Sequence, residues 1–505
     1  LSKRAASDAS LGRTAVPGAS MTQAFNLADL STAAPEVIVS LVAMLILMLD
    51  FIAPRGRRDW LGYLGILGVL LTLIVLIRQW GAPQSAFSGQ YLSDPFALFF
   101  KIVFLISAAL ILLMSIGYLK EEGVDKGEFY ALILFATLGM MLMASAVDLL
   151  ILYIGLETMS ISIYVLAGFL KRERRSNEAA LKYLLMGGFS SAIILYGIVM
   201  LYGLTGSIGL KEIASGLTAG AGKLSNPALI LAMVMLAAGF GFKIAAVPFH
   251  MYIPDVYEGA PTPVTALLAA ASEIAGLAIL LRVFLVAIPG LQDRWTLLFY
   301  VLSLLTMTVG NVVAIAQSNI KRMLAYSSIA HIGYLLIGLV AGRPIGISAT
   351  LLYTMVYALM TLGAFAMVIL LCVGEVKGER IDDFTGLAQR SPMAAAAMLI
   401  FLLSLAGVPP TAGFVGKLYL FGAAIERGYV WLAVIAVVNS AISLFYYMKV
   451  AMAMYMRDLP PTGLALSSSR PLRVALFVAV AGTLVIGIYP GPFLDLARAS
   501  VAGLW

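Results

Sequence analysis

The sequence has 505 residues, of which 61% are hydrophobic and only 12% are charged, and its mean hydropathy is +0.99. A soluble protein of this length cannot keep so much apolar surface away from water, so a soluble enzyme is excluded and an all-α polytopic membrane protein is expected. The net charge of +7 lies mainly in short loops between apolar runs, which indicates membrane topology rather than a nucleic-acid partner.

The N-terminal segment differs from the rest of the chain. Residues 1–20 are polar and small, and they lack the continuous apolar core of a signal peptide. Met21 opens a more ordinary N-terminal sequence. We interpret residues 1–33 as a leader or extension that precedes the first span.

Fourteen apolar runs are long enough to cross a bilayer, for which about 20 residues are needed. Only a short hinge around Asp148 separates the fourth run from the fifth, and no polar insert of domain size interrupts the series. The first three spans occupy residues 34–120, and the last occupies residues 471–490. The runs are centred near residues 44, 69, 106, 137, 158, 192, 237, 273, 306, 332, 360, 405, 441 and 480.

The loops between these runs predict the orientation. Loops after odd-numbered spans contain seventeen lysines and arginines, against eight on the opposite side when the leader is left out. Because cytoplasmic loops are enriched in these residues, both termini are predicted to lie on the non-cytoplasmic side.

Two runs are interrupted by prolines. Pro248 removes the backbone hydrogen bond to the carbonyl of Ile244. A second break lies at residues 407–410, where two prolines free the carbonyls of Leu405 and Ala406. Within a membrane, such carbonyls are tolerated only where protein or a water-filled cavity receives them. Paired interrupted spans are typical of inverted-repeat transporters, so we predict two discontinuous helices along a transport pathway.

Isolated ionisable residues lie inside several spans. Within a membrane such residues are costly, and by default they mark ion or proton pathways. Burial and neighbouring charges shift the pKa values of such groups, so that they can exchange protons near neutral pH. The candidate proton relay consists of Glu157, Lys182, Lys243, His250, Glu273, His331 and Lys417.

Several of these charges have a structural alternative. Lys101 and Lys449, which are also isolated within spans, can extend toward the membrane surface. Lys182 follows Glu178 by four residues and can form a surface ion pair with it. His331 can simply hydrogen-bond a neighbouring helix.

Metal, disulfide and nucleotide chemistry are not indicated. Cys372 is the one cysteine, and the two histidines are far apart in the sequence, so neither a disulfide framework nor the spacing of a metal or iron–sulfur site is present. The sequence also lacks a nucleophile elbow, a phosphate-binding loop and a dinucleotide fingerprint. We therefore expect no metal and no redox cofactor in this chain.

Four stretches resemble subunit N of the bacterial proton-pumping NADH–quinone oxidoreductases (respiratory complex I), the counterpart of mitochondrial subunit 2. The most specific reads Lys-Ile-Ala-Ala-Val-Pro-Phe-His from Lys243 to His250 and continues to Val264. The other three are residues 152–160, 321–334 and 404–417, which follow the order of the family.

The resemblance implies fourteen spans with two inverted five-helix repeats, here residues 128–288 and 295–456. It implies a non-redox subunit of a translocase enzyme in the bacterial inner membrane, which contacts lipid and the other membrane-arm subunits and no nucleic acid. The NADH, FMN, iron–sulfur clusters and quinone belong to partner subunits. Quinone reduction elsewhere in the complex drives proton translocation by shifting charge pairs along the arm.

The resemblance also assigns individual residues. Glu157 matches the family's fifth-span glutamate, which pairs with a sixth-span lysine, here Lys182. Lys243 and Lys417 match the lysines of the two broken spans, and both histidines match as well. At the eighth span the family commonly has Ala-Ser-Lys, whereas this chain has Glu273 in the lysine position. We expect Glu273 to relay protons as a carboxyl coupled to Lys243; the simpler alternative is that it neutralises a lysine.

Two other functions remain open from the sequence. A subunit of a multi-subunit cation/proton antiporter shares the pattern of broken spans. A passive membrane scaffold is the second alternative, although it has little reason to keep isolated charges in the middle of its spans.

Overall fold

The computed structural model describes residues 27–54, 56, 58–81, 83–124, 126–218, 223–372, 378–458, 466–467, 469–501 and 504. The leader predicted for residues 1–33 lies outside the described residues up to residue 26, and a short helix occupies most of its last part. Within the described ranges the secondary structure is helical apart from one two-stranded hairpin.

The N-terminal unit, residues 27–121, contains three long helices and the hairpin. Its strands are antiparallel, with Ser85 opposite Leu92. Asp94 ends the hairpin and caps the following helix, since its carboxylate accepts a hydrogen bond from the Ala97 amide at 2.8 Å. The elements are α1 (Leu27–Thr32), α2 (Ala34–Ile52), α3 (Asp59–Arg78), β1 (Gln84–Ala86), β2 (Tyr91–Ser93) and α4 (Pro95–Glu121).

The next part of the chain contains the first break and a helix with two π-helical turns. One π-helical turn, Leu268–Ser272, precedes α12, and another, Val283–Ala287, follows it. The α-helices are α5 (Glu128–Ser145), α6 (Leu149–Ala167), α7 (Arg174–Thr205), α8 (Leu210–Thr218), α9 (Pro227–Lys243), α10 (Ile253–Gly259), α11 (Thr262–Leu267) and α12 (Glu273–Arg282).

The remaining part contains the second break and the last long helix. Its helices are α13 (Gln292–Ile315), α14 (Ile320–Ala341), α15 (Arg343–Leu370), α16 (Leu387–Arg390), α17 (Pro392–Ala406), α18 (Ala412–Glu426), α19 (Val430–Met456), α20 (Arg470–Ile488) and α21 (Gly491–Val501). Short 3₁₀ turns lie at Phe87–Gly89, Lys223–Ser225, Pro289–Leu291 and Ile381–Phe384.

The fold confirms the prediction of an all-α polytopic membrane protein. In the described part of the chain, 12 helical segments are long and apolar enough to span a membrane. Two shorter apolar helices, Pro227–Lys243 and Pro392–Ala406, occupy the positions of two further predicted spans. The total of fourteen and the inverted repeats remain predictions.

Both predicted breaks are present. Helix α9 ends at Lys243, and the chain turns through a cis Val247–Pro248 bond before α10 begins. Helix α17 ends at Ala406, and Gly407 continues in the left-handed conformation with φ of 85°. A residue with this φ is commonly glycine, because a Cβ atom is disfavoured there. The sequence therefore marks both breaks correctly through its prolines.

The central helices are the most buried. In residues 262–287, every residue of the most apolar 18-residue stretch is buried. In α14 and α15, 94% of the corresponding stretch is buried. Helices α2, α3 and α20 lie at the periphery, where side chains such as Phe51 and Phe477 are exposed. Because an apolar helix surface is compatible with lipid, these peripheral helices shield a core in which charged residues lie.

Candidate functional site

Lys243 lies at the C-terminal end of α9, where the first break begins. Its side chain is buried, and its ammonium group donates a hydrogen bond to the hydroxyl of Ser160 on α6 at 2.8 Å. The ring of Tyr164 lies 5.8 Å from the same nitrogen, within cation–π distance. Gly276 allows α12 to approach closely, since a Cβ atom there would lie 3.3 Å from the Lys243 carbonyl carbon.

Glu157 lies on the same face of α6 as Ser160, one turn earlier. Its Oε1 atom is buried without a hydrogen-bond partner among the described residues. The glutamate is close enough to act electrostatically on Lys243, but no direct ion pair joins the two within the described chain. Glu157 and Lys243 therefore form a loosely coupled pair of opposite charges.

Lys182 does not have the partner that the resemblance implies. Its ammonium group contacts Glu178 at 2.8 Å and Asp255 at 2.7 Å, and 42% of its side chain is exposed. Within the described residues it makes no ion pair with Glu157, so the implied pairing of these two residues is not made. The alternative of a surface pair with Glu178 is confirmed. Nothing in the sequence pointed to Asp255 as a second partner, because α10 brings it there from another part of the chain.

His250 lies in the turn between α9 and α10 and is half-buried. Its Nδ1 atom is buried and has no hydrogen-bond partner in the described part of the protein. The imidazole thus lies next to the first break but is not joined to Lys243 by a described hydrogen bond. Its membership of the relay remains a prediction.

Glu273 is the first residue of α12 and follows directly after a π-helical turn, a distortion that is frequent at functional sites. Its carboxylate accepts hydrogen bonds from three hydroxyl groups: Tyr257 at 2.5 Å, Ser328 at 3.0 Å and Tyr357 at 3.1 Å. No lysine contacts it among the described residues. A direct pair with Lys243 is therefore not made, and Glu273 does not neutralise any described lysine by contact.

His331 on α14 is buried between tyrosines of two other helices. Its Nδ1 atom lies 2.6 Å from the Tyr353 hydroxyl, and its Nε2 atom lies 3.3 Å from the Tyr447 hydroxyl. The imidazole also packs against the ring of Tyr357, with the ring centres 5.3 Å apart. The predicted alternative, hydrogen bonding to neighbouring helices, is confirmed, and Tyr357 connects the imidazole to the Glu273 carboxylate.

Lys417 on α18 is buried beside the second break. Its ammonium group donates to the carbonyls of Leu405 and Ala406 and to the hydroxyl of Ser440, each at 2.9 Å. An ammonium group has three N–H donors, so all of them are used. These are the two carbonyls that the sequence predicted to be freed by the prolines. The ring of Tyr334 lies 4.8 Å from the nitrogen, which connects Lys417 to the helix that carries His331.

Lys101 and Lys449 were both predicted to extend toward the membrane surface. For Lys101 this prediction is wrong: its side chain is fully buried, because Glu36 on α2 provides a counter-charge at 2.7 Å. Lys449 is half-buried and donates to the carbonyl of Gln317, just beyond the end of α13. That position agrees with the surface interpretation.

Tyrosines occupy the space between the lysine and glutamate groups. Tyr164 packs edge-to-face on Tyr183 with ring centres 4.7 Å apart, and Tyr183 stacks on Tyr252 at 5.4 Å. A second group of tyrosines, Tyr257, Tyr353, Tyr357 and Tyr447, places hydroxyls on Glu273 and His331. Sequence reasoning missed them because it searched for charges. Tyr353 and Tyr357, four residues apart on one helix, were the available signal.

The buried groups form two separate sets of contacts. Lys243 lies with Ser160 and the ring of Tyr164, whereas tyrosine hydroxyls and rings connect Glu273 to His331, and the ring of Tyr334 lies between His331 and Lys417. No group of three or more His, Cys, Asp or Glu side chains in the described ranges is placed to hold a metal ion.

Comparisons with known proteins identify the family of this chain. The family described as NADH:quinone oxidoreductase/Mrp antiporter, TM, matches residues 146–443, and the family described as NAD(P)H-quinone oxidoreductase subunit 2 N-terminal matches residues 21–117. The NADH-quinone oxidoreductase subunit N of Trichlorobacter lovleyi is 46% identical over 484 residues, which cover 95% of this chain and 99% of that protein.

Solved structures show the same fold. A chain of respiratory complex I from Thermus thermophilus with bound aureothin is 34% identical, with a TM-score of 0.77, over 92% of this chain and 99% of that chain. A chain of the Mrp complex from a Dietzia species matches with a TM-score of 0.80 over 94% of this chain and 97% of that chain, but at 21% identity it supports the fold alone. The chain belongs to the family of NADH-quinone oxidoreductase subunit N.

Proposed function

We propose that this chain translocates protons as a non-redox, membrane-arm subunit of an NADH–quinone oxidoreductase. The observation that carries the proposal is the burial of four ionisable side chains, Lys243, Glu273, His331 and Lys417, in the membrane-spanning part of the chain. Such charges are costly inside a membrane protein and are retained where they act in transport. The comparisons support membership of the enzyme complex, and the geometry supports the proton pathway.

Each half of the pathway uses a lysine at a break. Lys243 exchanges protons with Glu157, and the packed rings of Tyr164, Tyr183 and Tyr252 line its other side. Glu273 is the central station, since it accepts from hydroxyls and is connected through Tyr357 to His331. Lys417 receives the proton at the second break.

Coupling to the redox reaction is electrostatic. In the proposed complex, NADH, FMN, iron–sulfur clusters and quinone are bound by partner subunits, and this chain binds none of them. A change of charge in a neighbouring membrane-arm subunit alters the balance between protonation states of the relay residues. A partner can drive such a change only through a difference in its interaction with the two states.

The proposed location is the bacterial inner membrane, with both termini on the non-cytoplasmic side. The excess of lysine and arginine in loops after odd-numbered spans supports this orientation. A cysteine-labelling experiment on intact cells tests it: a cysteine introduced at Ala499, which is exposed, should react with a membrane-impermeant reagent from outside the cytoplasm, whereas one introduced at the exposed Lys171 should not.

The central experiment replaces Lys243 or Lys417 by alanine in the complete complex. We expect each variant to assemble, and proton pumping in reconstituted vesicles to fall at least about tenfold, because a positioned proton-transfer group contributes that much or more to a rate. Lys449→Ala is the matched control for Lys417→Ala. Lys449 is half-buried in the same half of the chain as Lys417, but it lies outside the relay. If the chain were a passive scaffold, the complex would pump normally with either relay substitution.

A cation/proton antiporter subunit is the second candidate, favoured by the part of the family description that names the Mrp antiporter. Affinity purification of the tagged chain from its native membrane separates the two candidates. Subunits that bind NADH, FMN and iron–sulfur clusters should co-purify. If only other membrane transport subunits are recovered, the antiporter assignment replaces the one proposed here.

A further inference from the structure

A second group of buried charges lies where the N-terminal unit meets the rest of the chain. It contains Glu36 on α2, Asp94 immediately before α4, Lys101 on α4, and Arg282 at the end of α12. Each of these residues is 4% exposed or less. None belongs to the relay described above, so the cost of burying them requires a separate explanation.

Glu36, Tyr91 and Lys101 form a closed ring of two hydrogen bonds and one ion pair. The Lys101 ammonium contacts Glu36 Oε1 at 2.7 Å and donates to the Tyr91 hydroxyl at 2.7 Å. Tyr91 in turn donates to Glu36 Oε2 at 2.8 Å. The two hydrogen bonds give a proton a path between the ammonium and the carboxylate through the tyrosine, and the ion pair holds the two charged groups in direct contact.

The neighbouring pair is fixed in charge and position. Arg282 binds Asp94 with two parallel hydrogen bonds of 3.0 and 2.8 Å. Arginine keeps its proton in proteins, and Asp94 is additionally held as the cap of α4. Both residues are near enough to act electrostatically on Lys101. The ring of exchangeable groups therefore lies beside a pair that does not exchange.

Helix α12 connects this region to the relay. It begins at Glu273 and ends at Arg282, about 14 Å apart at the usual rise per residue. Nine residues correspond to two and a half turns, so the two side chains point to opposite faces. Glu273 meets Ser328 and Tyr357, whereas Arg282 meets Asp94. One fully buried helix thus contacts both charged regions.

Three polar atoms here are buried without a hydrogen-bond partner among the described residues: Ser93 Oγ, Arg282 Nε and Glu36 Oε1, which contacts Lys101 only as an ion pair. Buried polar atoms are as a rule hydrogen-bonded, and where protein supplies no partner a bound water does. Polar atoms of this kind next to the ring indicate that the region is hydrated, which proton exchange at a buried site requires.

We propose that Glu36, Tyr91 and Lys101 form a second proton-binding site, through which protons leave the relay toward the membrane face that carries the hairpin. The proposal rests on the proposed function. A proton that arrives binds the Glu36 carboxylate and converts it to the neutral acid, while Lys101 keeps its charge. Release of that proton to water restores the ion pair, so protons and charges balance over one cycle.

The test uses the complete complex, purified and reconstituted in vesicles. Glu36→Gln and Tyr91→Phe are compared with wild type in the ratio of protons pumped to NADH oxidised. We expect Glu36→Gln to lower this ratio by about tenfold and Tyr91→Phe to lower it less, because the direct contact between Lys101 and Glu36 remains. Asp50→Asn is the matched control: Asp50 is a buried carboxylate of the same helix, paired with Arg58 at 3.1 Å, and it should leave the ratio unchanged.

The infrared difference spectrum between acid and neutral pH separates a proton-binding site from a purely structural ion pair, because only the former gives a protonated-carboxyl band. A protonated-carboxyl band present in wild type and in Asp50→Asn should be lost in Glu36→Gln. If Glu36→Gln does not assemble, the same band in Tyr91→Phe should shift, because its hydrogen-bond donor is gone. An unchanged band and an unchanged pumping ratio overturn the second site.

The two proposals fail in different ways. If Lys243→Ala abolishes pumping while Glu36→Gln pumps normally, only the second site is wrong. If Lys243→Ala and Lys417→Ala pump normally, the relay itself is wrong.

Discussion

Glu273 occupies the position at which the resemblance to subunit N implies a lysine. Three hydroxyl groups surround its carboxylate, and no described lysine contacts it. Hydrogen bonds to a charged group are worth about 1.5–3 kcal/mol each, so the hydroxyls can offset part of the cost of burying a carboxylate. Hydroxyls both donate and accept, which allows the same surroundings to hold the neutral acid.

Glu273→Gln tests this residue. The amide keeps the shape and the hydrogen-bonding capacity of the side chain but cannot carry a proton between groups. We expect normal assembly and a loss of proton pumping in reconstituted vesicles of about tenfold or more.

Glu426→Gln, an exposed glutamate at the end of α18, is the control for this change and should pump like wild type. Normal pumping by Glu273→Gln would show that the central carboxyl is not a relay group.

The discontinuous helix α17–α18 is the element that depends most on a single residue. Gly407 has φ of 85°, and a Cβ atom there would lie 2.8 Å from Lys417 Cδ. The left-handed conformation costs a residue with a side chain about 1–2 kcal/mol, and the contact adds to this cost unless Lys417 moves. The position of Lys417 and the backbone of the break are therefore coupled.

Gly407→Ala should lower the free energy of unfolding by at least about 1–2 kcal/mol and should also reduce pumping, because Lys417 must shift. Thermal unfolding of the purified complex and vesicle pumping measure the two effects.

The contrasting variant for this element is Gly422→Ala. Gly422 lies in the same helix, and a Cβ atom added there would meet open space, so alanine should be neutral or stabilising by up to about 1 kcal/mol. Equal behaviour of the two variants would contradict the role given to the break.

At the scale of the whole molecule, Asp255 connects parts that are distant in the sequence. It lies on α10, the segment after the first break, and binds Lys182 of α7 at 2.7 Å and Arg322 of α14 at 2.8 Å. Through these bonds the segment is held against both halves of the protein. Since the Asp255 side chain is 38% exposed, the bonds are screened by solvent and contribute more to position than to stability.

Asp255→Asn should therefore change the free energy of unfolding by about 1 kcal/mol or less, while pumping decreases because α10 is held less firmly. Asp382→Asn is matched to it, since Asp382 forms an ion pair of 2.8 Å with Arg457 that does not involve a broken helix. A fall in pumping that merely follows a fall in thermal stability would argue against a positioning role.

The sequence predicted features that lie within one segment of the chain, and it missed most partners that other helices bring to a residue. Prolines located both breaks, and isolated charges identified the buried Lys243, Glu273 and Lys417, because these features are visible in one segment of chain. The surroundings of Lys101 were not visible, since Glu36 belongs to another helix. The hydroxyls around Glu273 were also missed, because a tyrosine in an apolar run contributes to hydropathy without showing its polar end.

The three bonds of Lys417 have a mechanical consequence. An ammonium group has a donor for each of its acceptors, whereas the neutral amine has two N–H groups for three acceptors. The Ala406 carbonyl also accepts from the Ser440 hydroxyl and keeps that donor, whereas Lys417 is the described donor to the freed Leu405 carbonyl. A buried acceptor without a donor costs about 1–3 kcal/mol, so the end of α17 is coupled through Leu405 to the charge state of a side chain on another helix.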